Sequence, residues 1–193
     1  ISISLIFMLV SCGEDFLDKQ PHEFTDAVFW KTADQAESAL AGVYSPLQDE
    51  EALGGEEWCG MECFSDNAYM NDPYADFVAM SEFRAIQNTE GDLSLNSYKS
   101  YYKTIKRASD VLYNVPNIDM DASQQKRILC EANFLLAFAY FQLTIRYGGL
   151  PIYNPEDAQA SLTRASEAET WEKIEASLKT ATEQLSWEHQ EGR

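Results

Sequence analysis

An all-α fold, built of tetratricopeptide-like helical pairs with one long irregular loop, is predicted by three features of the 193-residue chain. Apolar residues recur at helical spacing through four stretches. Those stretches are punctuated by helix signals, Thr or Ser with Gln or Glu three positions on at the start and Pro or Gly at the stop. No segment sustains the apolar–polar alternation of a half-buried strand.

Residues 1–11 come first, nearly all apolar and without a charge, followed by Cys12 and an abrupt polar turn at Gly13-Glu14-Asp15. A membrane-crossing helix needs about 20 apolar residues, so this run is too short to span. It has the length and flank of a secretory h-region, although it starts with Ile1 and has no basic n-region. The competing reading is a buried core segment with a chance cysteine. The small residues before Cys12 resemble a lipobox, which implies cleavage before Cys12 and acylation of its sulfur. Each buried CH₂ of such an anchor contributes about 0.8 kcal/mol. Residues 12–31 then read as a lipid-anchored tether, with Leu17, Pro21, Phe24, Phe29 and Trp30 spaced to lie along a surface.

The helical domain is expected over residues 32–193. Thr32 and Gln35 form a capping-box pattern. Ala36, Leu40, Val43, Tyr44 and Leu47 make its stripe, with an end near Gln48 to Glu51. Residues 51–93 lack clean periodicity and hold Gly54-Gly55, Gly60 and Pro73, so they read as a long loop with short helical pieces. A loop this long in a compact domain is usually functional. Helix returns over 94–115, with Tyr98, Tyr101, Tyr102, Ile105, Ala108, Leu112 and Val115 as its stripe and Pro116 as its stop. Ser123 is the expected cap of the most hydrophobic helix, which runs through Leu135, Leu136 and Leu143 to Tyr147. Gly148-Gly149 and Pro151 end it. After an irregular connection, Ser166 and Glu169 repeat the capping box, and Trp171, Ile174, Leu178, Ala181 and Leu185 share one face.

Composition excludes several functions. Thirty-two acidic residues stand against fourteen basic ones, a net charge of −18. Such a chain repels phosphate backbones, so nucleic acid is not an expected partner. It also gains nothing from anionic lipid, which leaves the acyl chain as the sole membrane anchor. The 45% hydrophobic content argues against disorder. Cys59 and Cys63 lack the second pair or nearby histidines of a zinc site. In an exported protein Cys59 has Cys63 and Cys130 as possible disulfide partners, while Cys130, within an apolar pattern, reads as a small buried hydrophobe.

No catalytic residue is predicted. His22 and His189 stand at opposite ends in polar settings, and no nucleophile-elbow, P-loop or dinucleotide motif occurs. With 32 acids, pairs such as Glu56/Glu57 or Asp72/Asp76 arise by chance and carry little weight for glycoside cleavage. Asp66, Asn67, Asn71, Asp72 and Asp76 do not follow EF-hand spacing, so neither metal nor cofactor is expected.

A set of phrases in fixed order resembles the SusD/RagB family of outer-membrane nutrient-binding lipoproteins. They are Phe16-Leu17-Asp18 and Gln20-Pro21, then Phe29-Trp30, then Ala39-Leu40-Ala41-Gly42-Val43-Tyr44. Ser65-Asp66-Asn67 follows in the loop, and Tyr102-Lys103-Thr104-Ile105 in the next helix. The strongest is Glu131-Ala132-Asn133-Phe134-Leu135-Leu136-Ala137-Phe138-Ala139-Tyr140-Phe141-Gln142-Leu143, running into Tyr147-Gly148-Gly149-Leu150-Pro151-Ile152; Arg164 and a Trp-x-x-Ile-x-x-x-Leu helix close the series. The chain departs from the family at Asn133 and Leu136, where arginines are usual, and at Ser109, often Asn. Family members are longer, with a loop-rich second half, so the chain reads as an N-terminal part lacking some of the ligand site.

The resemblance implies a cell-surface, lipid-anchored protein of the outer membrane. It would bind an oligosaccharide and pass it to a SusC-like TonB-dependent transporter, without catalysis. A sugar site needs flat aromatics beside hydrogen-bonding side chains. The 51–93 loop supplies both. Tyr69 and Tyr74, flanked by polar residues, lead the candidates, with Asn71 and Trp58 beside them; Phe77 and Asn88 complete the mixture. Trp58 and Phe77 have a competing role in covering the core. Two other functions remain open: a same-fold binder of peptides or other nutrients, and a helical protein–protein adaptor without a small ligand.

Overall fold

The computed structural model describes residues 29–54, 60–70, 75–84, 93–157 and 162–185. The expected signal and lipid-bearing Cys12, the expected tether up to residue 28, and Cys59 lie outside them. The described elements are helical, in the order α1 (Ala33–Tyr44), α2 (Ala75–Ser81), α3 (Leu93–Asn114), α4 (Ala122–Tyr147) and α5 (Glu167–Gln184). Short 3₁₀ turns follow α1 and α3, and a π-helical turn spans Glu50–Gly54. Among the described residues there is no strand, only an isolated antiparallel bridge between Pro151 and Arg164. The all-α expectation holds.

Helix α4 is the centre. It packs along α5 and along α3, while α1 lies against α3 and α4 together. This placement explains its composition: Ile128, Ala132, Leu135, Leu136, Ala139, Tyr140 and Leu143 are all buried, on more than one side of the helix. By length and composition α4 would cross a membrane, but here other helices cover it. A helix apolar on most sides belongs in the middle of a bundle.

The local start and stop signals act as read, with two shifts. Gln35 N–H donates to Thr32 Oγ1 at 3.3 Å and Thr32 N–H donates back to Gln35 Oε1 at 3.0 Å. The same reciprocal pair joins Ser166 and Glu169. Helix α1, however, ends at Tyr44, earlier than expected. Pro46 has no N–H for the Gly42 carbonyl four residues back, and Arg107 Nη1 donates to that carbonyl instead at 2.7 Å. Helix α4 is capped by Asp121, whose Oδ1 accepts Gln124 N–H at 2.9 Å, and not by Ser123, which lies inside the helix. Tyr44 and Leu178 leave their predicted stripes and are exposed, while Ser177 turns inward.

The α3–α4 turn is clasped by Gln125, whose Nε2 donates to the carbonyls of Val115 and Ile118. After α4, Gly148 takes φ +72°, which glycine adopts without steric cost. At Gly149 an added Cβ would stand 2.2 Å from the Ala165 carbonyl oxygen, so only glycine fits. Arg164 then caps the end of α4, donating to the carbonyls of Tyr147 and Gly149. Tyr102 OH donates to Pro151 O at 2.8 Å, and Tyr153 N–H donates to Tyr140 OH at 2.9 Å. These bonds tie the 148–153 strap to α3 and α4. Burial pushes both phenols up, Tyr140 to about 12, so both stay protonated at neutral pH.

Cys130 is a buried thiol against Thr180, and burial raises it above its ordinary value, as befits a packing residue. Leu136 is buried in the core, so an apolar contact stands where the resembled family carries arginine.

Candidate functional site: an aromatic surface on residues 60–84

Residues 60–70 and 75–84 form a small unit with a core separate from that of the bundle. Its own core is minor: Cys63, Phe77 and Met80 are buried together, with Met70 packed on them. Phe77 is therefore a covering residue, but of this satellite and not of the main core. The Ser65-Asp66-Asn67 phrase makes a tight turn. Ser65 Oγ donates to Glu62 O at 2.7 Å and accepts Asn67 N–H at 3.2 Å, the local bonding that Ser favours in turns.

Three aromatics of this unit, Phe64, Tyr69 and Phe83, are exposed, unlike Phe77. Tyr69 is 62% exposed, Phe83 75% and Phe64 43%. Phe64 and Phe83 contact each other with ring centroids 5.9 Å apart and planes tilted 47°. Tyr69 OH donates to Glu82 Oε1 at 3.3 Å, and Arg84 Nε donates to the other oxygen of the same carboxylate. Met70 N–H donates to Ser81 Oγ at 3.4 Å, which lays the 69–70 segment along the end of α2. Glu82 thus joins Tyr69 to the segment that carries Phe83.

The backbone at Phe83 is the unusual feature. Helix α2 ends in a Schellman arrangement, with Arg84 N–H donating to Ala79 O at 2.8 Å and Phe83 N–H to Met80 O at 3.0 Å. The residue at its left-handed position is normally glycine. Here it is Phe83, at φ +51°. A side chain in that conformation costs about 1–2 kcal/mol. Burial of the ring does not offset the cost, because the ring faces solvent. Unrepaid backbone strain of this kind gathers at functional positions.

Of the four loop residues singled out from sequence, Tyr69 stands on this surface; Trp58, Asn71 and Tyr74 lie outside the described residues, as do Glu56, Glu57, Asp72 and Asn88. Sequence reasoning missed Phe64 and Phe83. The Ser81-Glu82-Phe83-Arg84 run, an aromatic between charges just past a short helix, was the available signal. Tyr98, Tyr101 and Tyr102 are core or core-packed, as expected of a helical stripe. No group of three metal-ligating side chains occurs among the described residues.

A concavity of about 540 Å³ opens between α1 and α4 and reaches Leu185, lined by Leu40, Ala41, Tyr44 and Phe134. Its polar end is taken up internally. Arg127 donates to Glu37 and Glu131, Gln124 Nε2 donates to Glu37 Oε1 at 2.8 Å, and Tyr44 OH donates to Glu131 Oε2 at 3.1 Å. The network joins α1 to α4 and leaves few hydrogen-bonding groups for a ligand.

Residues 15–192 match the SusD-like family model described as starch-binding, associating with the outer membrane. A SusD-like protein, P38, of Formosa agariphila is 29% identical over 174 residues, covering 86% of this chain and 33% of that relative. The chain therefore spans about a third of that relative's length. A SusD superfamily protein of Bacteroides vulgatus superposes with a TM-score of 0.74 at 19% identity, over 84% of this chain and 36% of that one. A laminarin-binding SusD-like protein superposes with a TM-score of 0.66 at 25% identity, over 80% and 34%. With the family match running almost end to end and the helical fold shared, the chain belongs to the SusD-like family.

Proposed function

We propose that this protein is a surface lipoprotein, anchored through acylated Cys12, that binds an oligosaccharide at the outer membrane and delivers it to a SusC-like TonB-dependent transporter. The observation that carries the binding half is the aromatic surface of residues 60–84, with Phe64, Tyr69 and Phe83 exposed together and Phe83 held in a strained conformation. Apolar C–H faces of a pyranose stack on such rings, and hydroxyls bond to neighbouring side chains. Trp58, Asn71 and Tyr74, from the same stretch of chain, are proposed to extend it. The family description and the laminarin-binding relative support a glycan as the ligand. The role is capture and hand-over, not catalysis. The helical bundle serves as the scaffold and as the face that meets the transporter.

Two experiments test this. The first measures binding of laminarin and xyloglucan oligosaccharides to the full-length protein by calorimetry, with Phe64→Ala/Phe83→Ala as the control. Unchanged affinity in the double variant would move the site elsewhere. The second is a mild-detergent pull-down of the tagged protein from its native outer membrane. A β-barrel transporter in stoichiometric amount is expected; a lone protein would sink the delivery role. Recovery with other helical proteins and no glycan affinity would favour the adaptor reading.

A further inference from the structure

We propose that Glu82 is the specificity-determining residue of the 60–84 surface, restricting it to uncharged glycans and excluding carboxylated or sulfated ones. This inference rests on the glycan-binding reading above and deepens it. Recognition of an anionic sugar calls for a cation within reach, usually an arginine presenting its fork to a carboxylate or sulfate. Residues 60–84 contain one basic residue, Arg84, against Glu62, Asp66, Asp72, Asp76 and Glu82. Arg84 follows Phe83 in the chain, and its guanidinium, if unpaired, would serve an anionic ligand. Its Nε is donated to Glu82 Oε2, and the other oxygen of that carboxylate accepts Tyr69 OH.

One carboxylate therefore does two things. It cancels the only cation that residues 60–84 supply, and it orients a candidate stacking ring. The rest of the chain reinforces the exclusion, because a net charge of −18 repels polyanions at long range. A neutral pyranose meets no such barrier, since stacking on Phe64, Tyr69 and Phe83 needs no counter-charge.

The test compares laminarin and xyloglucan oligosaccharides with oligogalacturonides of matched length, by calorimetry on the full-length protein at low and high salt. Wild type is expected to bind a neutral oligosaccharide and to bind oligogalacturonide far more weakly, at an affinity still measurable at high ligand concentration. Glu82→Gln keeps an acceptor for Tyr69 but releases Arg84. Its affinity for oligogalacturonide relative to the neutral glycan should rise about tenfold at low salt. The double variant Glu82→Gln/Arg84→Ala should lose that gain. Arg84→Ala alone should bind the neutral glycan within about twofold of wild type, which provides a reading even if the Glu82 variant fails to fold. Oligogalacturonide binding by wild type as tight as neutral binding would overturn the proposal. So would an unchanged preference in Glu82→Gln, or loss of neutral binding in Arg84→Ala. Failure of wild type to bind any neutral glycan would overturn the glycan-binding reading itself, and this inference with it.

Discussion

The helical bundle and the 60–84 unit treat the same kind of residue in opposite ways. In the bundle, Tyr101, Tyr140, Leu143 and Ile174 are buried, helix ends are capped, and glycine stands where φ is positive. In the smaller unit the buried core is a cluster of Cys63, Phe77 and Met80, and a phenylalanine occupies the position where a helix normally ends on glycine. The bundle follows the rules that lower free energy. The unit breaks them at the residues it shows to solvent. The contrast separates a scaffold from a contact surface, and it is open to measurement.

The largest effect should come from breaking the scaffold. Leu143 is fully buried in α4, so Leu143→Ala should cost about 3 kcal/mol of unfolding free energy, through lost burial and the cavity left behind. Denaturant unfolding would measure it, and glycan affinity at low temperature, where the variant stays folded, should be unchanged. A loss of affinity equal to that of the aromatic variants would mean that the two regions are not separable.

Next is the contact surface. Phe64→Ala combined with Phe83→Ala should lower glycan affinity at least tenfold, about 1.4 kcal/mol. Stability should shift by less than about 1 kcal/mol, since both rings are mainly exposed. Calorimetry and thermal unfolding on the same sample would check both halves.

Phe83→Gly sharpens the comparison further. Glycine relieves the left-handed strain, so the variant should hold its stability or gain up to about 1 kcal/mol while losing ligand affinity. A clear loss of stability would show that the ring supports the fold.

The smallest effect concerns pH. Burial raises the Asp49 carboxyl, but hydrogen bonds from Ser100 Oγ at 2.8 Å and Lys103 Nζ at 3.1 Å, with the charges of Lys103 and Arg107, outweigh it and hold the group below its ordinary range. A depressed carboxylate stabilises the fold above its unfolded pKa, and that contribution is lost as pH falls through the folded value. Asp49→Asn should therefore flatten the stability profile below about pH 4, by a fraction of a kcal/mol because the pair is partly exposed. An acid limb as steep as in wild type would assign the loss to other carboxylates.

Much of the fold was legible because it is encoded locally. Thr32 with Gln35, and Ser166 with Glu169, cap their helices through bonds spanning three residues, which any reader of the sequence can see. Gly148 stops α4 for the same local reason. The reading slipped where a partner distant in sequence decides. The Gly42 carbonyl left by Pro46 goes to Arg107, sixty-five residues on, and Tyr44 leaves its stripe to donate to Glu131. Ser97, Ser100 and Thr104 are buried on α3, although a polar residue in an amphipathic pattern reads as solvent-facing. The candidate site was half legible. Tyr69 was singled out through its polar neighbours and is exposed, whereas Phe64 and Phe83 were passed over although Phe83 stands between Glu82 and Arg84.

The sequence by itself determined the helices, their caps and stops and the acidic character, because propensity, capping and net charge are properties of neighbouring residues or of composition. Only the tertiary structure decided that α4 lies between α3 and α5, and that Phe83 faces solvent at positive φ. It also decided that Glu82 holds both Tyr69 and Arg84. These depend on which surfaces meet when the chain closes on itself, and neither spacing nor hydropathy carries that information.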